Sequence, residues 1–275
     1  MRKAICMYSL VCAFVFAFLM PHNAQAVEPL TGEFTVNDAG LKVQFAPGNL
    51  QYMPGKDTWR FAPSQTDYAD VNEAYFNDNP GYSEVIDLFP WGADYGACIG
   101  EGWRMLTDEE WQYLLREEEL GSGPENAGQA TIGTQHGLML VPDGWVEFAT
   151  LTFEPSANNW TTNVYTTDNW TELEKSGVVF LPCAEEMGMY WSATPNGQSK
   201  AYCMYFTTGS IAANTPDERI KSFSIRLVKE VKGEPTEVEE MTNDGVRMMD
   251  KVLHDGQMLI VRDGKRYTVT GTEVR

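Results

Sequence analysis

Histidine is scarce in this chain, with three in 275 residues, and that scarcity limits the chemistry it can support. His22 falls in an N-terminal leader, and His136 and His254 lie on different candidate elements with no second histidine or cysteine at ligand spacing. This argues against a zinc centre and against a histidine-activated nucleophile. Cysteine is also sparse: Cys6 and Cys12 belong to the leader, leaving Cys98, Cys183 and Cys203, an odd number that cannot all pair within one chain. Basic charge is short as well, with 20 Lys and Arg against 39 Asp and Glu, a net charge of −19. A surface this acidic repels nucleic acid and anionic lipid, so neither is expected as a partner. A second long apolar run is absent, so no membrane span is expected after the first twenty residues.

That first run defines the leader. Arg2 and Lys3, the apolar stretch Ala4 to Met20, and Ala24-Gln25-Ala26 have the three-part order of a secretory signal peptide, with the mature chain expected to begin near Val27. The rival is an uncleaved anchor, for which the run is short. Cleavage leaves 18 basic against 39 acidic residues, a net charge of −21, in keeping with solubility outside the cell. Export also places the three remaining cysteines in a compartment that permits disulfides. Cys98 with Cys183 is one of three open pairings, and three buried thiols with no pairing is the alternative.

Aromatic residues make up 12% of the chain and include eight tryptophans, which argues for a substantial core. The most informative stretch is Gly100 to Glu119. Thr107 and Glu110 have the spacing of a capping box, Leu106 and Trp111 that of a hydrophobic staple, and Asp108 to Glu110 put negative charge at the positive end of the dipole. Trp111, Leu114 and Leu115 then share one face, which predicts a helix of about three turns docked on a core and fraying before Gly121. Upstream, Phe34 to Val36, Leu41 to Phe45, Leu50 to Met53 and Trp59 to Phe61 alternate between turns and read as a short β meander. Residues 63–100 and 143–175 show no sustained period and are expected to be long irregular loops, with Ile86 to Gly92 buried.

Trp103-Arg104-Met105-Leu106-Thr107 followed by Glu110-Trp111 resembles the opening motif of the formylglycine-generating-enzyme branch of C-type-lectin-like domains. Further motifs follow in that family's order: Gly137 to Pro142, Gly177 to Pro182, Tyr190-Trp191-Ser192-Ala193-Thr194, Ala201 to Phe206 and Ser222 to Val228. The resemblance implies an α+β fold with a C-type-lectin-like mixed sheet, few short helices and long irregular loops over residues 27–228. Trp103, Arg104, Thr107, Glu110, Trp111, Trp191 and Arg226 would be its structural residues. In the family's enzymes two cysteines five apart bind copper and carry out an oxidation. Cys203 matches the second, but Gln198 stands in the companion position, so the resemblance implies the fold without the copper site. Glu154-Pro155-Ser156 is similar to the calcium and sugar motif of true C-type lectins but lacks its asparagine. Glu185, Glu186 and Asp143 could supply hard oxygen ligands, and adjacent carboxylates are more often a solvated loop face. The Asn-Trp-Thr triplets at Asn159 and Asn169 are formal glycosylation sequons that also read as ordinary polar loop.

Residues 229–244 are charged and aperiodic and read as an acidic linker. Residues 245–275 carry three short strand signals, Val246 to Met249, Met258 to Arg262 and Tyr267 to Thr270, with turns at Asp255-Gly256 and Asp263-Gly264. This tail resembles the short C-terminal β modules of exported bacterial proteins and, more distantly, type IX secretion sorting domains, which implies secretion machinery as a partner. The sequence therefore leads to a non-enzymatic, cofactor-free binding or adhesion module, secreted or at the cell surface, with an extracellular glycan or protein as ligand. The alternative is a degenerate or cryptic enzyme that uses Cys203.

Overall fold

The computed structural model describes residues 27–79, 85–115, 125–147 and 151–231, and in a second compact unit 250–254, 257–262, 265–268 and 273–274. The leader, the helix end towards Gly121, the linker from 232 and the tail strand expected at 246–249 lie outside the described residues. In chain order the first unit contains β1 (Phe34–Thr35), β2 (Lys42–Phe45), β3 (Leu50–Met53), β4 (Thr58–Phe61), α1 (Glu73–Asp78), β5 (Trp103–Met105) and α2 (Asp108–Leu114). It continues with β6 (Ala127–Ile132), β7 (Gln135–Leu140), β8 (Asn163–Tyr165), α3 (Thr167–Lys175), β9 (Val179–Pro182), β10 (Met187–Asn196), β11 (Lys200–Thr207), β12 (Ser210–Glu218) and β13 (Leu227–Glu230). The architecture is mostly strand with a few short helices, an α+β arrangement.

The described residues of the first unit form four sheets, ordered β1-β2-β13-β5, β8-β6-β7-β9, β10-β11-β12 and the hairpin β3-β4. Within these sheets the described strand pairs are antiparallel except β6 with β8, which makes the second sheet mixed. All four expected N-terminal strands are present, but they do not form one meander. The chain breaks at Pro47-Gly48, where Ala46 and Leu50 donate instead to the carbonyls of Leu227 and Ile225. β2 is thereby joined to β13, and β3 forms a hairpin with β4 and bridges to Ile86 through Tyr52. β13 also runs on to Glu230, two residues past the boundary expected at Val228, because Lys229 and Glu230 still pair with β2.

Period-2 alternation places the core on both sides of these sheets. In β7, Leu138 and Leu140 enter the cluster around Trp111, Phe45 and Phe206, while Met139 enters the cluster with Trp170, Leu173 and Phe180. β9 repeats the division, Val179 and Leu181 to the first cluster and Phe180 to the other. Phe223, Ile225 and Leu227 alternate onto a further cluster with Trp103, Met105, Trp191 and Cys203, as their spacing predicts, and Val228 faces the Trp111 cluster. Gly137 is required where β7 crosses β9, since a Cβ there would lie within 2.5 Å of the Leu181 carbonyl oxygen.

α2 begins as expected: Thr107 accepts the Glu110 N–H and Glu110 accepts the Thr107 N–H, closing the capping box. It is shorter than expected, seven residues ending at Leu114 with Leu115 as its C-cap, about two turns. The expected loop at 143–175 contains β8 and a real helix, α3. Thr166 and Asn169 form a second capping box, Trp170 and Leu173 are buried at helical spacing, and Gly177 ends the segment at φ 88°. The other expected loop holds α1, capped by Asn72, whose side chain accepts the Tyr75 N–H.

The second unit, described by itself, is an antiparallel sheet of β14 (Asp250–His254), β15 (Gln257–Arg262), β16 (Lys265–Thr268) and β17 (Glu273–Val274). His254 pairs with Gln257 and Arg262 with Lys265, the register of the two hairpins anticipated at Asp255-Gly256 and Asp263-Gly264.

Candidate functional site

The sequence singled out residues that turn out to fasten elements together. Arg104 on β5 donates to both carboxylate oxygens of Glu110 at 2.7 Å and to Glu230 at 3.1 Å, so a bidentate pair ties β5 to α2 and to the end of β13. Trp103 packs in the core under the Lys229 ammonium, 4.6 Å from its ring centre. Trp111 is sealed against Phe45, and Trp191 donates from its indole to the Phe89 carbonyl at 2.9 Å.

Arg226 is fully buried beside these. Its guanidinium donates to Asn49 Oδ1 at 3.0 Å and to the carbonyls of Ala46 and Phe180. Asn49 donates to the Tyr190 hydroxyl, which donates to the Pro182 carbonyl at 2.7 Å. Burial lowers the Arg226 pKa to about 10, so the group stays protonated at neutral pH, solvated by oxygens rather than by a carboxylate. This polar network is structural, because every member is satisfied and enclosed.

Cys203 lies on β11, the central strand of its sheet, with no solvent exposure, and its thiol donates to the Thr215 carbonyl at 3.3 Å. Burial, with Asp217 and Asp108 adding to it, raises the thiol to about 12, so it is not a thiolate at neutral pH. Gln198 falls in the turn between β10 and β11. Cys98, Cys183 and Cys203 are all free thiols, so neither Cys98 with Cys183 nor either of the other two open pairings is made. Cys98 is exposed on a single helical turn before β5, whereas Cys183 is enclosed in the Trp111 cluster.

The Glu154-Pro155-Ser156 turn is fastened to Asn163, whose side chain accepts the Glu154 N–H and donates to its carbonyl. Asn159 uses its side-chain oxygen to cap Thr161 and Thr162, and Asn169 serves the α3 cap. Asp143 accepts the Thr35 N–H and hydroxyl. Among the described residues, no three His, Cys, Asp or Glu side chains converge on a metal position.

What the structure does assemble is an open cleft of about 360 Å³, lined by Tyr68, Asp70, Thr134, Gln135, His136, Cys183, Ala184 and Glu185. Three segments meet there. The first is held by Asp87, whose carboxylate is 1% exposed and accepts the N–H groups of Ala69 at 2.6 Å and Val71 at 2.9 Å. That grip leaves Asp70 in the left-handed region at φ 57°. The second is the β6–β7 turn, where Gln135 donates to the Cys183 carbonyl at 2.6 Å and so ties it to the third. His136 stacks on Trp160 at 4.9 Å and shares a hydrogen bond with the Glu185 carbonyl at 2.8 Å. A carbonyl only accepts, so Nδ1 of His136 is the donor in this bond. Glu185 is also left-handed, at φ 44°. Desolvation, with the Glu185 charge adding to it, raises the Asp70 carboxyl above its ordinary value. Desolvation likewise raises Asp87, against the backbone N–H groups that lower it.

Residues 48–229, roughly two thirds of the chain, match the family described as the Fibrobacter succinogenes major domain. The chain belongs to that family. No curated protein and no solved structure matches it. The Fibrobacter succinogenes major domain of this chain contains the cleft, Cys203, the Arg226 network and α2, while β1 and β2 precede the matched range and complete its sheet. Within that domain the sequence reading found the residues that hold elements together and named Glu185 as a loop carboxylate, but missed Tyr68, Asp70, Asp87 and the role of His136. Asp87 carried one signal: an acid inside the apolar run Ile86 to Phe89, where a buried carboxylate must find donors.

Proposed function

We propose that this chain is an exported, non-enzymatic binding or adhesion module of C-type-lectin-like fold, delivered to the cell surface or beyond, with an extracellular glycan or protein as ligand. The observation that carries the reading is the state of Cys203: sealed in a central strand and protonated, while Gln198 stands at the sequence position where an enzyme of the resembled branch has its companion thiol. The open, polar-lined cleft suits recognition. The order of the motifs from Trp103 to Val228 supports the C-type-lectin-like topology, and the leader together with the separate tail sheet supports export. In this reading the tail offers a strand edge to secretion machinery.

Glycan and protein arrays probed with the mature chain test recognition, and a copper-supplemented assay on a sulfatase-type cysteine peptide tests the enzyme alternative. Saturable array binding without aldehyde formation is the expected result. Copper-dependent aldehyde formation that disappears in Cys203→Ser would overturn the reading. Fractionation of a host expressing the chain without residues 245–275 tests the tail: the truncated chain should remain periplasmic, and unchanged surface delivery would remove the sorting role.

A further inference from the structure

β12 ends its sheet with one side unpaired. It is nine residues long and pairs with β11, and among the described residues no strand lies beyond it. An outer strand of that length shows a row of backbone groups to any chain that can align with it, the same strand of a second copy above all. Two irregularities interrupt the row. The register shifts once: Cys203 stands opposite Thr215 and Tyr205 opposite Ala212, so Met204 faces two residues, Ala213 and Asn214. Such a bulge bends the strand, and Asn214 takes the left-handed backbone at φ 62°. Two residues on is Pro216, opposite Tyr202 in an unbroken stretch of the ladder.

The direction of the backbone groups decides what these residues do. The Thr215 carbonyl points inwards to β11, where it accepts the Cys203 thiol at 3.3 Å. Inward and outward residues alternate in an antiparallel pair, so Asn214, Pro216 and Glu218 turn their backbone groups outwards. Pro216 has no N–H to offer there. The Glu218 N–H is taken by the Asp217 side chain at 2.7 Å. The Asn214 N–H is turned on the Asp108 carboxylate at the start of α2, which packs beside β12. Gln112 occupies Oδ2 of that carboxylate at 2.7 Å, and Oδ1, which has no hydrogen-bond partner, is left to face it. Thr194 fixes Asp108 in place by accepting its N–H at 2.9 Å. Three successive outward positions are thus closed to an incoming strand. We propose that the Asn214 bulge, Pro216 and the Asp108 and Asp217 carboxylates guard the outer edge of β12 against pairing with the same strand of a second copy, keeping the domain a monomer. The guard acts whatever the chain binds.

Size exclusion with light scattering on the full chain reads the guard. The unaltered chain should keep a single-chain mass as its concentration is raised. Pro216→Val, which supplies an outward N–H, should rise towards the mass of a dimer. Combined with deletion of Asn214, which also straightens the strand, it should do so at lower concentration. Pro155→Val, in a turn outside the sheets, should stay a monomer. Amide exchange locates the contact: the Glu218 N–H should exchange more slowly in the dimers than in the monomer. Folded guard variants that stay monomeric, a dimer that leaves Glu218 exchange unchanged, equal association of Pro155→Val, or an unaltered chain that already pairs through β12 would each overturn the proposal. Should the variants unfold, a peptide copying Ser210–Glu218 added to the unaltered chain decides. The Asn214 and Glu218 amide signals should then stay in place, and saturable shifts there would overturn the guard.

Discussion

Replacing Asp87 by alanine removes the carboxylate that accepts the Ala69 and Val71 N–H groups, and no water reaches the pocket left behind, because Asp87 is 1% exposed. Each donor stranded in that interior costs about 1 to 3 kcal/mol, so the pair should cost about 2 to 6 kcal/mol. Part is returned, since Asp87 itself bears a desolvation cost, visible as its raised pKa. A net loss of about 2 to 4 kcal/mol is the expected result, which at about 2 kcal/mol per molar urea moves the midpoint down by about 1 to 2 M. Asp87→Asn keeps one acceptor and turns an amide donor towards the other N–H, so it should fall between alanine and the unaltered chain. The assay is urea unfolding at pH 7 followed by tryptophan fluorescence, with amide exchange at Ala69 and Val71 as the local readout. A midpoint unchanged in Asp87→Ala, with both amides still protected, would refute the assignment of Asp87 as the clamp of the Tyr68–Asp70 segment.

Trp111→Ala should cost about 3 to 5 kcal/mol as a large-to-small core change, whereas Thr107→Ala, which removes only a cap, should cost about 1; equal losses in denaturant melts would mean that the docked face contributes no more than the cap. In the native mature chain a thiol reagent at pH 8 should label Cys98 alone, and Cys183 and Cys203, both raised to about 12 by burial, should react only after unfolding. Counting labelled thiols by mass spectrometry checks this. Asp70 binds its proton more tightly folded than unfolded, so its contribution to stability is fully present below about pH 3.8 and is lost as pH rises through its raised folded value. Asp70→Asn should therefore flatten that part of the stability profile in melts taken across the acid range.

The fold was most readable where the instructions are local. Thr107, Glu110, Leu106 and Trp111 lie within a few residues of one another, and the cap and staple they form need no distant partner to be recognised. The strands within Gly137 to Pro142 and Gly177 to Pro182 were legible only through the family resemblance of their motifs. α3 carried equally local information in Thr166, Asn169, Trp170, Leu173 and Gly177, but asparagine in place of glutamate at the third helical position, and two β-branched residues at its start, hid it. The separation of β2 from β3 was not readable, because it depends on carbonyls of Ile225 and Leu227 supplied from the far end of the domain. The cleft was illegible for the same reason: Asp70, His136 and Glu185 are ordinary loop and strand-end residues until three remote segments meet. Arg226 could be placed in a closing strand, yet its solvation by Ala46, Asn49 and Phe180 has no trace in the local sequence.

The buried guanidinium of Arg226 also sets a timetable. Its bond to the Ala46 carbonyl spans 180 positions and that to Asn49 spans 177, so the interior near Pro47 cannot be completed until nearly the whole domain has left the ribosome. A nascent chain ending before residue 226 leaves the Ala46 and Phe180 carbonyls and the Asn49 amide oxygen without this donor, and closing so long a loop is entropically slow. Synthesis therefore runs ahead of folding by design of the contact map. The network around Arg226 is therefore among the last parts of the domain that a growing chain can complete.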